Sequence, residues 1–140
     1  VVWETGAERR EGNHSYIVID PIEDDRRDYR RVCDVSGASL IIDQAVHHLA
    51  KGAMVLLAGF YAAPIQFQFP AAFMREIDLR ISAEWQPEDM QFALDLVSGG
   101  DLSLSGIITH DQPYDSAETA YQQAFSDPRC LKMVLDWRDA

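Results

Sequence analysis

The sequence predicts an α/β fold organised on a parallel sheet, and three observations carry that expectation. Short apolar runs of strand character alternate with helical stretches as far as about residue 85. One run, "AMVLLAGF", is apolar at nearly every position, as strands covered on both faces are. Several runs end in an acid or a glycine, where the chain must turn sharply.

Taken in order, "VVWE" reads as the end of a strand and "TGAERREG" as a polar connection that can hold a short helix. "SYIVID" reads as a second strand, stopped by Pro21 because proline has no N–H to give a sheet. "PIEDDRRDYR" is charged enough to be a solvated loop or helix, with Asp24 and Asp25 at the surface. "RVCDVSG" is an apolar strand closed by Gly37. In "SLIIDQAVHHLAKG" residues Ile41, Ala45, His48 and Leu49 share a helical face, Ser39 can cap the start, and Gly52 sits near the stop. "AMVLLAGF" follows, then a loop containing Pro64 and Pro70. In "IDLRISAEW" Ile77, Leu79, Ile81 and Ala83 alternate with Asp78, Arg80 and Ser82, the pattern of a half-exposed or edge strand. "QPEDMQFALDLVSGG" is a helix with Pro87 in its first turn, acids at its positive end and a glycine pair closing it. "LSLSGIITH" reads as extended and "DSAETAYQQAF" as a short helix in which Asp115 and Glu118 have capping-box spacing. "CLKMVLDW" is a last strand.

Composition narrows the function classes. At 140 residues and 47% apolar content the chain can bury a core, which disordered chains cannot. No apolar run approaches the roughly 20 residues of a membrane span, and no secretory signal is visible, so a soluble, cytoplasmic protein is expected. A formal charge of −11 repels phosphate backbones, which argues against nucleic acid as a partner. Cys33 and Cys130 lie in apolar runs without metal-type spacing and read as two buried thiols in a reducing compartment.

Catalytic motifs are scarce. The chain contains no GxGxxG, P-loop, GxSxG or HExxH. His47 and His48 are neighbours on a helix and so point apart, one outward and one partly inward. His14 sits in a polar loop. His110 follows an extended run and can face a cleft, as a substrate-lining side chain would. Glu4, at a strand tip, is where a dinucleotide-binding sheet carries the acid that accepts hydrogen bonds from the adenosine ribose. A carboxylate there disfavours the extra phosphate of NADP. Methyltransferases with a similar sheet place an acid at the same position.

The segments "DVSG", "LAGF", "GIITH", "AYQQAF" and "LKMVLDW", in that order, resemble the C-terminal half of the zinc-alcohol-dehydrogenase-like, medium-chain dehydrogenase superfamily. Within it, "DVSGASLIIDQAVHHLAKG", "LAGFYAAPIQFQFPAAFMRE", "AEWQPEDM" and "AFSDPRCLKMVLDWR" look most like the branch serving bacteriochlorophyll biosynthesis. The resemblance runs from Val1 to Ala140. It implies a Rossmann-type parallel sheet lacking its first strand and Gly-rich turn, followed by a segment that returns to an absent catalytic domain. In those terms, residues 1–85 are a partial dinucleotide-binding domain and residues 86–140 a C-terminal segment of the catalytic domain.

The activity implied is NAD-dependent oxidation of the 3-(1-hydroxyethyl) group of a bacteriochlorophyllide to 3-acetyl, with this segment alone inactive. The same resemblance puts Glu4 on the adenosine ribose, flanked by Arg9 or Arg10. Val35, Ser36 and Gly37 would line the adenine and ribose side, and Gly59, Phe60 and Tyr61 the nicotinamide side. Lys132 would reach the pyrophosphate. Tyr61, Trp85 and His110 are candidates for lining a tetrapyrrole substrate, with the aromatic rings stacking on the macrocycle. The strand over residues 77–85 would pair across a homodimer axis. Asp111 departs from the pattern, which leads one to expect a basic residue there. Catalytic residues and any zinc ligands would lie upstream, so none is assigned to this segment. Other readings stay open: a medium-chain dehydrogenase acting on another alcohol or polyol, a Rossmann-like methyltransferase, or a non-catalytic nucleotide-binding module.

Overall fold

The computed structural model describes residues 1–11 and 16–138, so His14 lies outside the described residues. The chain divides into two compact units, one made of Val1–Asp24 with Pro87–Ala140 and the other of Asp25–Gln86.

The first unit opens with strand β1 (Val2–Trp3), helix α1 (Ala7–Arg10) and strand β2 (Val18–Ile19). The two strands are parallel, with Val2 opposite Val18 and Trp3 opposite Ile19. "SYIVID" is thus a strand over only two residues. Asp20 ends it by accepting a hydrogen bond from the Ile22 N–H at 3.1 Å, which starts a 3₁₀ turn over Pro21–Glu23. Asp24 corrects the expectation of a solvated acid. It is 5% exposed and accepts a 2.6 Å hydrogen bond from the Trp3 indole N–H, a partner that offsets its desolvation. Asp25 beside it is exposed.

The second unit contains β3 (Tyr29–Asp34), α2 (Ile41–Val46), β4 (Leu49–Leu57), α3 (Phe69–Arg75) and β5 (Asp78–Ile81). Its sheet is wholly parallel, in the order β3-β4-β5. Crossover helices between parallel strands are what the alternating sequence pattern requires. Helix α2 is shorter than its sequence suggests. It stops at Val46, and β4 begins at Leu49, so His47 and His48 occupy the turn between them, exposed and buried respectively. Ile41, Ile42, Ala45 and Val46 form the buried face. Leu40, not Ser39, holds the N-cap position, and no side chain caps the helix. Gly52 is no helix stop either. β4 runs from Leu49 to Met54 while β3 advances only from Tyr29 to Arg31, and Gly52 takes φ +71° within that irregularity.

The central strand is buried on one face rather than two. Ala53, Val55 and Leu57 are sealed, whereas Met54 and Leu56 are only half-buried. With Ile41, Ile42 and Leu49 they form the core, and Val32, Tyr61, Phe67 and Ile77 pack around it. Full burial of side chains of this size is worth about 1.5–3 kcal/mol each. The proline-containing segment after β4 is not all loop, because Pro70 lies in the first turn of α3, where its missing N–H is harmless. Glu76, at φ 50°, ends that helix in the left-handed conformation. Among the described residues strand β5 pairs only with β4, and every residue in it is exposed, so it is an edge strand as the alternation predicts.

The first unit resumes with α4 (Pro87–Gly99), β6 (His110–Pro113), α5 (Ala117–Ser126) and β7 (Met133–Asp136). α4 carries Glu88 and Asp89 in its first turn and is followed by Gly100 at φ +81°, as its sequence signals. "LSLSGIITH" is extended only at its end, because turns around Gly106 precede β6. The capping box of Asp115 and Glu118 does not form. A 3₁₀ turn over Tyr114–Ser116 brings the chain into helical geometry early, leaving Ser116 at the cap position with no side-chain capping bond to the helix. β6 and β7 are parallel, with His110 opposite Met133. Among the described residues no helix is long and apolar enough to cross a membrane.

Candidate functional site

The C-terminal ends of parallel strands are where α/β sheets bind ligands, because the chain turns there into loops that can surround a small molecule. Glu4 stands at such an end, directly after β1. Its Oε1 accepts a 2.7 Å hydrogen bond from the Gly6 N–H, while Oε2 lies 3.8 Å from the Arg9 guanidinium. The tip is stiffened by Arg10, which donates to the carbonyls of Glu4 (2.9 Å) and Thr5 (2.8 Å) and pairs with Asp20 at 3.1 Å. Arg9 also donates to the Pro128 carbonyl at 2.7 Å. An open cleft lined by Glu4, Gly6, Arg9 and Pro128 results. Structure therefore distinguishes two arginines that sequence could not: Arg10 is held by the Glu4 and Thr5 carbonyls and by Asp20, and Arg9 flanks the Glu4 carboxylate.

In the second unit the tips of β3 and β4 meet. A Cβ at Gly37, which has φ +74°, would come within 2.5 Å of the Phe60 carbonyl oxygen. At Gly59 it would come within 3.0 Å of both the Gly37 N and the Val35 carbonyl carbon. Both positions need glycine because backbone passes against backbone. This contact brings together Val35, Gly37, Gly59 and Phe60. Val35 and Phe60 are 73% and 92% exposed, so their side chains add nothing to the core.

Asp34, which sequence reasoning did not single out, underlies these turns. It is 6% exposed. Its Oδ1 accepts hydrogen bonds from the Ser36 hydroxyl (2.7 Å) and N–H (3.3 Å), its backbone carbonyl accepts the Ala58 N–H at 2.8 Å, and its Oδ2 accepts a short hydrogen bond from the Tyr61 hydroxyl. Burial, and then the Asp34 carboxylate beside it, push the Tyr61 phenol up to about 12, so it remains a proton donor at neutral pH. The available signal was an acid closing an apolar strand immediately before a Ser-Gly turn.

Lys132 is exposed, and its backbone is tied to the "ITH" element: the Thr109 and His110 N–H groups both donate to its carbonyl at 3.2 Å. His110 does not stand alone. Its Nε2 lies 3.5 Å from Asp127, and Nδ1 lies 3.0 Å from the Thr109 hydroxyl. Arg129 hydrogen-bonds Asp127 and holds its carboxyl below the usual range. Trp85 is 64% exposed. The two thiols differ from expectation, with Cys33 exposed and Cys130 half-buried. Alternation along β3 explains the first: Val32 and Asp34 turn inward, so Cys33 turns outward. Among the described residues no three His, Cys, Asp or Glu side chains gather as a metal site would require.

No protein-family model matches the chain. It is 56% identical over 138 residues to the 2-desacetyl-2-hydroxyethyl bacteriochlorophyllide A dehydrogenase of Cereibacter sphaeroides, covering 99% of this chain and 43% of that protein. The enzyme of the same name in Rhodobacter capsulatus is 53% identical over 140 residues, which is 100% of this chain and 45% of that protein. The chain thus spans less than half the length of the curated relatives it matches. Among solved structures it superposes on the L-idonate 5-dehydrogenase of Escherichia coli K-12 with a TM-score of 0.70 at 18% identity, over 84% of this chain and 36% of that one. The short chain alcohol dehydrogenase (rspB) of E. coli CFT073, solved with NADH, gives 0.68 at 20% identity, over 77% and 32%. The chain therefore has an α/β fold shared with dehydrogenases of known structure, and along its whole length it is similar to one portion of the 2-desacetyl-2-hydroxyethyl bacteriochlorophyllide A dehydrogenases.

Proposed function

We propose that this chain is the C-terminal portion of an NAD-dependent dehydrogenase that oxidises the 3-(1-hydroxyethyl) group of a bacteriochlorophyllide to 3-acetyl in bacteriochlorophyll a biosynthesis. The observation that carries this reading is the end-to-end similarity to enzymes bearing that name. An NADH-bound structure with a related fold supports the choice of cofactor.

The residues present suit a dinucleotide. In one unit Glu4 offers a carboxylate at a strand tip with a cation beside it; in the other, Gly37 and Gly59 let the turns after β3 and β4 pass backbone against backbone. When bound, NAD supplies the hydride acceptor. In this reading Glu4, flanked by Arg9, accepts the ribose hydroxyls, while Arg10 stiffens the tip. Val35, Ser36 and Gly37 line the adenine and ribose side. Gly59, Phe60 and Tyr61 hold the nicotinamide side, and the Lys132 ammonium supplies positive charge to the pyrophosphate. Tyr61, Trp85 and His110 line the tetrapyrrole. The exposed edge strand β5 pairs with a second copy to form a homodimer, since an unpaired edge offers a row of free backbone groups. Residues 86–140 complete the catalytic domain, zinc use rests on residues outside this chain, and the intact enzyme works in the cytoplasm.

The test is to supply the full-length protein with hydroxyethyl bacteriochlorophyllide and NAD. NADH formed together with the 3-acetyl product supports the reading. Turnover of a polyol instead, or of neither substrate, overturns it.

A further inference from the structure

We propose that Asp34 is a positioning residue that sets the nicotinamide-side turn, clamping the Ala58–Tyr61 segment at both ends while bracing the Val35–Gly37 turn beneath it. The inference rests on the assignment of that turn to the nicotinamide side of an NAD site.

The geometry is unusual in its economy. The Asp34 main-chain carbonyl takes the Ala58 N–H at one end of the turn, and its Oδ2 takes the Tyr61 hydroxyl at the other. The remaining oxygen, Oδ1, takes the Ser36 hydroxyl and N–H, and the Ser36 hydroxyl oxygen in turn accepts the Ala38 N–H at 3.1 Å. One carboxylate, 6% exposed, therefore fixes two turns whose backbones already touch at Gly37 and Phe60. A buried charge is tolerated only when hydrogen-bonded, and here every partner belongs to one of the two turns. Tyr61 packs against the core cluster while its hydroxyl bonds Asp34, so Tyr61→Phe removes that bond and keeps the ring.

The Asp34–Tyr61 bond acts on the Ala58–Tyr61 turn alone, so its loss must affect the nicotinamide end of the cofactor selectively. The test uses Tyr61→Phe and Asp34→Asn in the full-length protein, with dissociation constants for NADH and for ADP-ribose, which lacks the nicotinamide. Tyr61→Phe keeps the packed ring and guards against loss of fold, which a thermal melt checks. The expected result is NADH binding weakened about tenfold in each variant, the size of one charge-assisted hydrogen bond. In Tyr61→Phe, which frees only the Ala58–Tyr61 turn, ADP-ribose binding should stay within about twofold, and for NADH the double variant should be no worse than the worse single, as partners in one interaction are. Equal losses for NADH and ADP-ribose in Tyr61→Phe would reduce the clamp to a general structural role and overturn the proposal, as would strictly additive variants. If Glu4→Ala weakens NADH and these variants do not, the clamp fails while the NAD reading stands. Absence of NADH binding by the unmodified protein defeats both.

Discussion

Replacing Gly37 by alanine separates two costs that glycine usually hides. At φ +74° an L-residue is strained by about 1–2 kcal/mol, whatever surrounds it. At Gly37 the added methyl also meets the Phe60 carbonyl oxygen at 2.5 Å, a backbone atom that cannot swing aside as a side-chain tip would. Together these give an expected loss of about 2–4 kcal/mol. Gly52 is the internal control. Its φ of +71° is nearly the same, yet nothing lies within 4 Å of a Cβ built there, so Gly52→Ala should cost only the conformational share of about 1–2 kcal/mol. With a urea slope of about 2 kcal/mol/M, the unfolding midpoint should fall by roughly 1–2 M for Gly37→Ala and by less than about 1 M for Gly52→Ala. NADH affinity should drop for the first variant alone. Equal midpoint shifts for the two variants would refute the close approach of the two turns.

Other consequences follow from single contacts. Asp24→Ala should destabilise the fold by about 1–3 kcal/mol by orphaning the Trp3 indole N–H, whereas Asp25→Ala should change stability by less than about 0.5 kcal/mol; urea titrations of the two variants decide. The Tyr61 phenol, pushed up to about 12 by burial and by Asp34, holds its proton more tightly when folded than when unfolded. Its contribution is therefore complete below about pH 10 and lost as pH rises toward 12, a fall that Tyr61→Phe should blunt in alkaline urea titrations. The Ser82 N–H bonds the Leu57 carbonyl of β4, so by alternation the Ile81 N–H faces the free edge of β5; Ile81→Pro removes it, and sedimentation should show a dimer becoming a monomer if β5 forms the homodimer contact.

Much of the fold is legible in the sequence because its signals are local. "AMVLLAGF" gives the central strand, the alternation in "IDLRISAEW" gives an edge strand, and Pro87 with Gly99 and Gly100 bounds α4. The failures are equally physical. Gly52 after a helical pattern reads as a stop, but a parallel partner drew residues 49–52 into β4 and the glycine absorbed the irregular register. The Asp115 and Glu118 spacing suits a capping box, yet the box needs an extended residue at the cap, and the preceding 3₁₀ turn removes it. Asp24 looks like a surface acid, and Asp34 goes unnoticed, because burial of a charge depends on partners distant in sequence, Trp3 and Tyr61. For the same reason sequence could name Glu4 as a candidate without separating Arg9, which faces its carboxylate, from Arg10, which holds its backbone.

The most direct measurement of the proposed activity is isotopic. Hydroxyethyl bacteriochlorophyllide carrying deuterium on the carbinol carbon is incubated with the full-length protein and NAD, and both products are analysed by mass spectrometry. The expected result is one deuterium in each NADH and none in the 3-acetyl product. A 3-acetyl product accompanied by unlabelled NADH, or no product at all, would contradict it.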